Sequence, residues 1–481
     1  MNDYSLRRKT VSGLLWSYME RVGTQAVQFL VSLILARILM PDDYGVIAIV
    51  LVFINICDVF VQGGMGTALI QKKEVDECDY SSVFYFSLSI STVLFLLLFF
   101  SAPFIAQFYK MPILTGLLQV LGFRMPISSF LTVQRAIVAR NMNFRKFFTA
   151  TIISVFFSAI IGVWMAKHGY GVWSLAVQNI SNSLLNVIVL FFIVKWYPRL
   201  LFSWNRTKTL FSFGWKLLMS NLIDAIYEDF RSLYVGKLYT PAELAFYNQG
   251  LQFPRLVGNN INTSITTALF PALATKQDDM AALKNITRRS ITISSFIMMP
   301  MMFILAAISE SLVVVLLTEK WIGCVPFVQI LCFNFALLPI HSANMQAILA
   351  MGRSDLNLRM SLIKKTSGFI IILITASYSV LAMAWGGILI GIIASIVNSY
   401  PNKRLLNYGY FDQLRDIMPY VLLSTAMCIP VLLIPLLSFS PMITLFLQFV
   451  TGVISYVTLS YIYSKESLFY IISIIKEFGK K

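Results

Sequence analysis

The chain has 481 residues, of which 58% are hydrophobic and only 12% are charged, and its mean hydropathy is +0.75. So few charges exclude an ordinary soluble domain, in which about a quarter of the residues are charged, and indicate a chain that places most of its surface in lipid. The net charge of +16 does not indicate nucleic-acid binding, because Lys and Arg accumulate in the cytoplasmic loops of membrane proteins.

Apolar segments of membrane-spanning length recur along the whole chain. A hydrocarbon core of about 30 Å requires about 20 apolar helical residues. The predicted spans are Val11–Leu35, Gly45–Val61, Val83–Ile105, Ile113–Val138, Phe147–Ala166, Gly171–Val194, Phe211–Val235, Leu244–Phe270, Ile291–Ile308, Val325–Ala350, Leu362–Leu381, Gly386–Tyr400, Ile417–Leu436 and Met442–Tyr463. The sequence therefore predicts an all-α membrane protein with about fourteen transmembrane helices.

Basic residues alternate between the two sides of this arrangement. Of the 38 Lys and Arg residues, 27 fall in loops on one side and 5 in loops on the other. The positive-inside rule then places both termini in the cytoplasm, and the predicted location is the bacterial inner (cytoplasmic) membrane, crossed many times. The six remaining basic residues lie at membrane depth: Arg21, Arg124, Arg135, Lys216, Arg231 and Arg255.

Short motifs of the first half recur in the same order in the second half. Segment 36–43 after span 1 matches 236–243 after span 7, and 118–123 in span 4 matches 328–333 in span 10. Because six helices per repeat preserve the orientation, this predicts two lobes related by a pseudo-two-fold axis along the membrane normal. The predicted organisation is a six-helix lobe at 1–208, a second at 209–408, and two extra helices with a cytoplasmic tail at 409–481.

Polar stripes mark four of the predicted helices, spans 1, 2, 7 and 8. Residues three, four or seven positions apart share a helix face. The stripe residues are Ser17, Arg21, Thr24 and Gln28 in span 1, Asn55, Asp58 and Gln62 in span 2, Lys216, Ser220, Asp224, Glu228 and Arg231 in span 7, and Asn248, Gln252, Arg255, Asn259 and Asn262 in span 8. Because these are matching helices of the two repeats, they predict a polar, net-basic cavity between the halves.

Ionisable side chains at membrane depth are costly and usually face a cavity or a partner. An arginine stays charged and grips an anion in a fork, and Arg124 and Arg255 have no acidic residue close by in sequence, which indicates an anionic ligand. The pairs Glu20–Arg21 and Glu228–Arg231 are also compatible with purely structural ion pairs. The candidate substrate-binding residues are Arg21, Arg124, Lys216, Arg231, Arg255, Gln28, Gln252, Asn259 and Asn262.

Four acidic residues at membrane depth are candidates for binding a coupling cation, Na⁺ or H⁺: Glu20, Asp58, Asp224 and Glu228. His341 is a candidate proton shuttle, although a core histidine bonded to a neighbouring helix is the simpler interpretation. The five cysteines form no CxxC pair and there are only two histidines, so neither a metal site nor a cofactor is predicted. No GK[ST] phosphate-binding loop and no large extramembrane loop is present, so the chain is not predicted to be an enzyme.

Several strings of the sequence resemble the polysaccharide transporter branch of the multidrug/oligosaccharidyl-lipid/polysaccharide (MOP) superfamily. They are VSGLLW at 11–16, LARILMPDDYG at 35–45, GGMGTALIQ at 63–71, QRA at 134–136, NFR at 143–145 and GVWSL at 171–175. The resemblance covers nearly the whole chain and is strongest to Wzx-type flippases and to colanic-acid and teichuronic-acid exporters, which act in lipopolysaccharide and other polysaccharide biosynthesis.

The resemblance implies two six-helix lobes around a central cavity, often with two extra C-terminal helices, and alternating access. It implies a flippase that moves oligosaccharide repeat units on undecaprenyl pyrophosphate from the cytoplasmic to the periplasmic leaflet, for O-antigen, capsule or exopolysaccharide. The expected partners are this substrate, membrane lipids and the polymerase and glycosyltransferases of the same pathway, and the protein itself is expected to be a monomer.

Two other functions stay open on the sequence. A cation-coupled multidrug antiporter of the same superfamily would prefer an acidic, hydrophobic cavity, whereas the stripes found here are mostly basic. A membrane glycan polymerase would need a large periplasmic loop, and the longest such loop, near 309–325, is short.

Overall fold

In the computed structural model, the described part of the chain, residues 3–62 and 64–479, is almost entirely helical and contains no β-strand. Side chains are described from Trp16 onward, apart from residues 17, 18, 63, 474, 475 and 477–479. Each predicted span falls on one helix or on two consecutive helices, which confirms the all-α class. Ten helical segments of the described part are long and apolar enough to cross a membrane, and the count of fourteen stays a prediction.

Four predicted spans are not among these ten segments. They lie on the helices Asp3–Ile38, Trp204–Leu238, Pro241–Ala274 and Ser354–Ala376. The first three carry polar stripes, and the fourth contains three basic residues near its start. A helix that presents a polar face is less hydrophobic overall than one surrounded by lipid. All four are nevertheless long enough to cross, since the shortest has 23 residues.

The chain divides into two compact units, Met1–Leu244 and Ala245–Lys481. The helices of the first unit are α1 (Asp3–Ile38), α2 (Pro41–Gln62), α3 (Met65–Gln71), α4 (Glu77–Tyr109), α5 (Ile113–Gly122), α6 (Arg124–Arg140), α7 (Phe144–Lys167), α8 (Val172–Val194) and α9 (Trp204–Leu238). In this unit α1 packs along α7 and α7 along α8, while α9 packs against α2, α3 and α4. The first compact unit thus extends one helix beyond the predicted lobe at 1–208, because α9 packs on it.

The second unit holds most of α10 (Pro241–Ala274), whose first residues belong to the first unit. Its other helices are α11 (Met280–Ala307), α12 (Ser309–Leu317), α13 (Val325–Ala336), α14 (Leu338–Ala350), α15 (Ser354–Ala376), α16 (Val380–Leu405), α17 (Tyr410–Leu433), α18 (Pro441–Tyr463) and α19 (Lys465–Gly479). Here α11 packs on α17, α15 on α16, and α17 on α18. The two predicted extra helices, α17 and α18, are therefore integral to the packing of this unit.

Spans 4 and 10 are each broken into two helices, so the prediction of single helices over 113–138 and 325–350 is wrong in detail. The break falls at Phe123 between α5 and α6, and at Leu337 between α13 and α14. Pro126 and Pro339 lie in the first turns of α6 and α14, where a missing backbone N–H costs little. Both breaks occur in matching spans of the sequence repeat, so the two units share this irregularity.

The structure also contains helices that the hydropathy pattern does not predict. The short α3 and α12 and the C-terminal α19 lie outside the predicted spans. Span 11 was predicted to continue to Leu381, but α15 ends at Ala376 and α16 begins at Val380. The Ser379 side chain accepts a hydrogen bond from the Ala382 N–H at 2.9 Å and so caps α16. Apolar residues continue across this turn, which is why hydropathy does not reveal it.

Close glycine contacts hold α2 in the first unit. A Cβ on Gly64, whose φ is +90°, would lie 2.0 Å from the Gly214 carbonyl oxygen of α9. A Cβ on Gly45 would lie 1.8 Å from the carbonyl oxygen of Pro241, at the start of α10. Since the opposing atoms are backbone atoms, neither can move aside as a side-chain tip could. The sequence therefore needs glycine at both positions to let these backbones approach.

Hydrogen bonds also connect α4 with the segment between α8 and α9. Asp76 caps α4 by accepting from the Asp79 N–H at 2.9 Å, and it pairs with Arg206 at the start of α9. The hydrogen bond from the Arg206 guanidinium, together with the one from the Asp79 N–H, lowers the pKa of Asp76 to about 2. The Ser82 hydroxyl accepts from the Ser203 N–H at 2.9 Å. These contacts fix where α9 begins relative to α4.

The side chain of Arg140, the last residue of α6, caps the C-terminus of α3. The guanidinium donates to the carbonyl oxygens of Leu69 at 2.8 Å, Ile70 at 3.1 Å and Lys73 at 3.0 Å, and also to that of Lys72. The last carbonyl groups of a helix have no partner within the helix. One arginine therefore satisfies the carbonyl groups of the α3 C-terminus and of the turn after it.

Replacing Arg140 by glutamine is expected to destabilise the protein. Hydrogen bonds from a charged group contribute about 1.5–3 kcal/mol, and several are lost together, so we expect a loss of about 3 kcal/mol and a lower Tm in detergent. Arg145→Gln is the matched control, because that exposed guanidinium only stacks on Trp16, 5.4 Å from the ring centroid. Equal Tm values for the two variants would contradict the role assigned to Arg140.

A buried amide network joins three helices of the second unit. Asn344 of α14 and Gln413 of α17 exchange two hydrogen bonds, of 2.7 and 2.9 Å, and Asn402 of α16 donates to the Asn344 Oδ1 at 2.6 Å. All three residues have no exposed surface. Buried hydrogen bonds of this kind depend on exact geometry, so the network fixes the register of α14, α16 and α17, although the Asn402 Oδ1 has no partner among the described residues.

Candidate functional site

A largely buried ion pair joins α2 and α6 in the first unit. Arg124 Nη2 lies 3.2 Å from Asp58 Oδ2, and the Ser128 hydroxyl donates to Asp58 Oδ1 at 3.1 Å. Asp58 is 7% exposed. The expectation that Arg124 has no acidic partner is therefore wrong, because its partner comes from another helix. In this structure Asp58, a candidate for cation coupling, is held by Arg124 and Ser128.

Further along the same face of α6 lies Arg135. It follows Ser128 by seven residues, which is close to two helical turns. Its guanidinium carbon is 5.7 Å from the centroid of the Phe147 ring on α7. Glu20 of α1 and Asp58 act on it electrostatically. In the described part of the chain no carboxylate oxygen approaches its nitrogens within 4.0 Å, and the side chain is exposed.

Arg21 and Gln28, the span 1 candidates, are exposed, and Glu20 is half-buried. The side chain of Ser17, the first residue of that stripe, lies outside the described residues. Since α1 packs along α7 while α9 packs on α2, the stripes of α1 and α9 belong to different helix contacts of the first unit. The Glu20–Arg21 pair stays a prediction.

On α9 the stripe residues are largely accessible. Lys216, Asp224 and Glu228 are exposed and Arg231 is half-buried. A helix facing lipid does not expose such groups, because each costs about 2.5–3.5 kcal/mol at the bilayer centre on insertion scales. This face of α9 therefore borders a polar environment. Whether Glu228 and Arg231 pair stays a prediction.

The α10 stripe lies in the second unit. Arg255 and Asn259 are exposed, while Gln252 and Asn262 are half-buried. The Asn262 Oδ1 accepts a hydrogen bond from the Ser342 hydroxyl of α14, so this oxygen already has a partner within the protein. Arg255 makes no ion pair or hydrogen bond with the residues whose side chains are described, and this leaves its five N–H donors available.

The sequence-based prediction did not identify some of the buried polar groups. Gln134 is fully buried on α6, and neither its amide nitrogen nor its amide oxygen finds a hydrogen-bond partner among the described residues. Its only sequence signal was the string it shares with Arg135. His341 also differs from the expectation, because its Nδ1 is buried without a partner in the described part. No group of three or more potential metal ligands occurs among the described residues.

An apolar cavity of about 390 Å³ lies within the second unit. It is formed mainly by α11, α17 and α18, with Met301, Ile304, Met427, Phe449 and Val453 among its lining residues. It is almost entirely nonpolar, so it suits a hydrocarbon chain and not a sugar or a phosphate.

Solved structures with a similar arrangement of helices are membrane transporters. The fold of this protein is similar to that of the lipid II flippase MurJ in an inward closed conformation, with a TM-score of 0.76 over 95% of this chain and 100% of that chain, at 15% identity. It is also similar to an inward-facing multidrug resistance MATE family transporter, with a TM-score of 0.60 over 82% and 95%, at 14% identity. At such identities the likeness establishes the fold.

Residues 34–326 match the family described as polysaccharide biosynthesis protein. The chain belongs to this family, and the resemblance noted in the sequence is confirmed.

Three curated relatives agree with this placement. The succinoglycan biosynthesis transport protein ExoT of Rhizobium meliloti is 25% identical over 67% of this chain, and the match spans 65% of ExoT, slightly less than two thirds of its length. The teichuronic acid biosynthesis protein TuaB of Bacillus subtilis is 21% identical over 88% of each chain. The lipopolysaccharide biosynthesis protein WzxC of Escherichia coli is 23% identical over 75% of this chain and 74% of WzxC.

Proposed function

We propose that this protein is a flippase that moves undecaprenyl-pyrophosphate-linked oligosaccharide repeat units from the cytoplasmic to the periplasmic leaflet by alternating access. The product serves lipopolysaccharide O-antigen, capsule or exopolysaccharide synthesis. The observation that carries the proposal is the set of exposed basic and amide side chains on α1, α9 and α10, three helices that are long enough to cross a membrane. Family membership supports it.

The chemistry of these side chains fits the parts of such a substrate. In the first unit, the exposed Arg21 guanidinium is suited to bind a phosphate group through two hydrogen bonds, and the Gln28 amide is suited to bind a sugar hydroxyl group. In the second unit, Arg255 has the same chemistry as Arg21, and the amides of Gln252 and Asn259 have the same chemistry as Gln28. The polyprenyl tail stays in lipid, and the apolar cavity beside α17 and α18 accepts part of a hydrocarbon chain.

Topology and partners follow from the same proposal. The excess of basic residues in alternate loops supports cytoplasmic termini and a location in the inner membrane. A monomer working beside the glycosyltransferases and polymerase of the pathway meets the substrate as it is completed. Na⁺ or H⁺ acting at Glu20, Asp224 or Glu228 is a source of coupling energy.

The alternative is a cation-coupled multidrug antiporter. It would need accessible acids to attract a cationic drug. Asp58 is bound to Arg124, and the exposed Asp224 and Glu228 share the α9 stripe with the exposed Lys216. The accessible charges at membrane depth include Arg21, Lys216 and Arg255, which repel a cation. Overexpression that confers drug resistance would favour the antiporter over the flippase.

Flipping of a labelled lipid-linked oligosaccharide in proteoliposomes tests the proposal. We expect Arg21→Ala and Arg255→Ala to slow flipping about 10-fold or more each, since a charge-assisted hydrogen bond contributes about 1.5–3 kcal/mol. Arg353→Ala is the control, because that guanidinium pairs with Asp355 on the exposed surface. Wild-type activity in both cavity variants would refute an anion-binding role for these arginines.

A further inference from the structure

Arg135 is a charged group at membrane depth that takes no part in the proposed substrate contacts. It lies five residues before Arg140, and thus about 7–8 Å along the α6 axis from it. Arg140 caps the α3 C-terminus at the end of the unit where the basic loops lie. The guanidinium of Arg135 is therefore inside the predicted span and close to the depth of the phosphate groups of one leaflet.

Three charged groups act electrostatically on Arg135: Glu20, Asp58 and Arg124. Arg124, eleven residues earlier on the same face of α6, is paired with Asp58 at 3.2 Å. Glu20 acts electrostatically on Arg135, yet no Glu20 oxygen comes within 4.0 Å of it. On this face of α6, Arg124 therefore forms an ion pair with Asp58, whereas Arg135 is too far from Glu20 to form one.

An aromatic ring lies beside the Arg135 guanidinium. The guanidinium carbon is 5.7 Å from the centroid of the Phe147 ring, which is within the range of a cation–π contact and leaves the N–H groups available. In the part of the chain that the structure describes, none of its N–H groups donates to a protein acceptor. Because a guanidinium does not face bare hydrocarbon, this edge points to a polar, accessible space.

We propose that Arg135 is a phosphate-binding residue of the first unit, held by Phe147 and opposed by Glu20. The ligand is a phosphate-type anion, gripped through two N–H groups of the guanidinium. This assignment rests on the proposed function: the diphosphate of the lipid-linked substrate first binds at Arg135, at the depth of the headgroups. Glu20 disfavours the bound anion by like-charge repulsion, so it weakens binding at this position and promotes release.

Binding of inorganic pyrophosphate to the full-length protein in phosphatidylcholine nanodiscs, followed by calorimetry, tests this assignment. We expect Arg135→Gln to weaken binding at least 10-fold and Glu20→Gln to strengthen it several-fold. Arg145→Gln should leave binding unchanged, since this matched arginine also stacks on an aromatic ring, that of Trp16, but lies outside the site. Arg135→Lys should have the wild-type Tm but recover only part of the affinity, because a lysine ammonium cannot form the two parallel hydrogen bonds of a guanidinium.

A purely structural Arg135–Glu20 pair gives a different pattern. Both substitutions would then lower Tm and leave pyrophosphate affinity unchanged in the folded protein, and this result would overturn the proposal, as would full affinity in Arg135→Gln. A second set of nanodiscs with phosphatidylglycerol separates the sources of the phosphate. Competition by that lipid would identify a site that headgroups also occupy, whereas its absence would identify a site reserved for the diphosphate.

The outcome is independent of the flipping assay. Wild-type protein that binds pyrophosphate through Arg135 but flips no lipid-linked oligosaccharide would refute the proposed function and keep the site. Protein that flips normally but binds equally well with Arg135→Gln would keep the function and refute the site.

Discussion

Replacing Asp58 by asparagine is expected to lower stability more than almost any other single change at membrane depth. The substitution leaves the Arg124 guanidinium without its counter-charge in a largely buried place. Breaking one partner of a buried ion pair typically costs about 3–5 kcal/mol, and because Arg124 is 25% exposed we expect the lower part of that range. Arg124→Gln should cost a similar amount, since it leaves a buried carboxylate.

The double variant gives the sharper test. Asp58→Asn with Arg124→Gln removes both charges, so we expect it to be more stable than either single variant, as measured by Tm in detergent. The control is the pair Arg353–Asp355, formed by the same residue types at 3.0 Å but about half exposed. Its removal should change stability by less than about 1 kcal/mol. Additive losses in the Asp58–Arg124 cycle would contradict direct coupling.

Gly45→Ala is expected to have the second large effect. An added Cβ would sit 1.8 Å from the Pro241 carbonyl oxygen, so α2 and the start of α10 would have to separate. Overpacking against a fixed backbone costs about 1–3 kcal/mol or more, and we expect at least the upper end of this range.

Gly387→Ala in α16 is the matched control for Gly45→Ala. Both glycines are helical, but nothing lies within 4 Å of a Cβ on Gly387. There alanine should be neutral or stabilise by up to about 1 kcal/mol, because it is the better helix former. A Tm for Gly45→Ala at or above that of Gly387→Ala would show that the backbones do not approach as described.

The helices themselves were largely predictable from the sequence, because a lipid-facing helix must be apolar over a set length. The polar stripes were also visible, since helical periodicity places residues such as Lys216 and Asp224 on one face. The partners of these residues were not. The contact between Asp58 and Ser128 joins positions 70 residues apart, and its existence depends on which helices become neighbours, which periodicity does not encode.

Irregularities within spans were harder still to predict. A search for apolar runs of membrane-spanning length does not reveal that α5 ends before Phe123 and that α6 begins after it, although Arg124 and Pro126 follow the break directly. The prediction also grouped α9 with the second half, because the repeat places it there, whereas its packing against α2, α3 and α4 joins it to the first compact unit. A sequence repeat shows which segments of the chain match each other, whereas packing determines which helices form one compact unit.

The buried amide network has a consequence for protein engineering. Chimaeras between relatives are most simply joined in the short connection before α17, so as to exchange the last two spans and their tail. In this protein that junction separates Asn344 and Asn402 from Gln413, three side chains that are joined by hydrogen bonds. A hybrid that takes α17 from a parent with an apolar residue at that position would inherit orphaned amides in its interior. Successful exchanges should therefore transfer α14, α16 and α17 as one block.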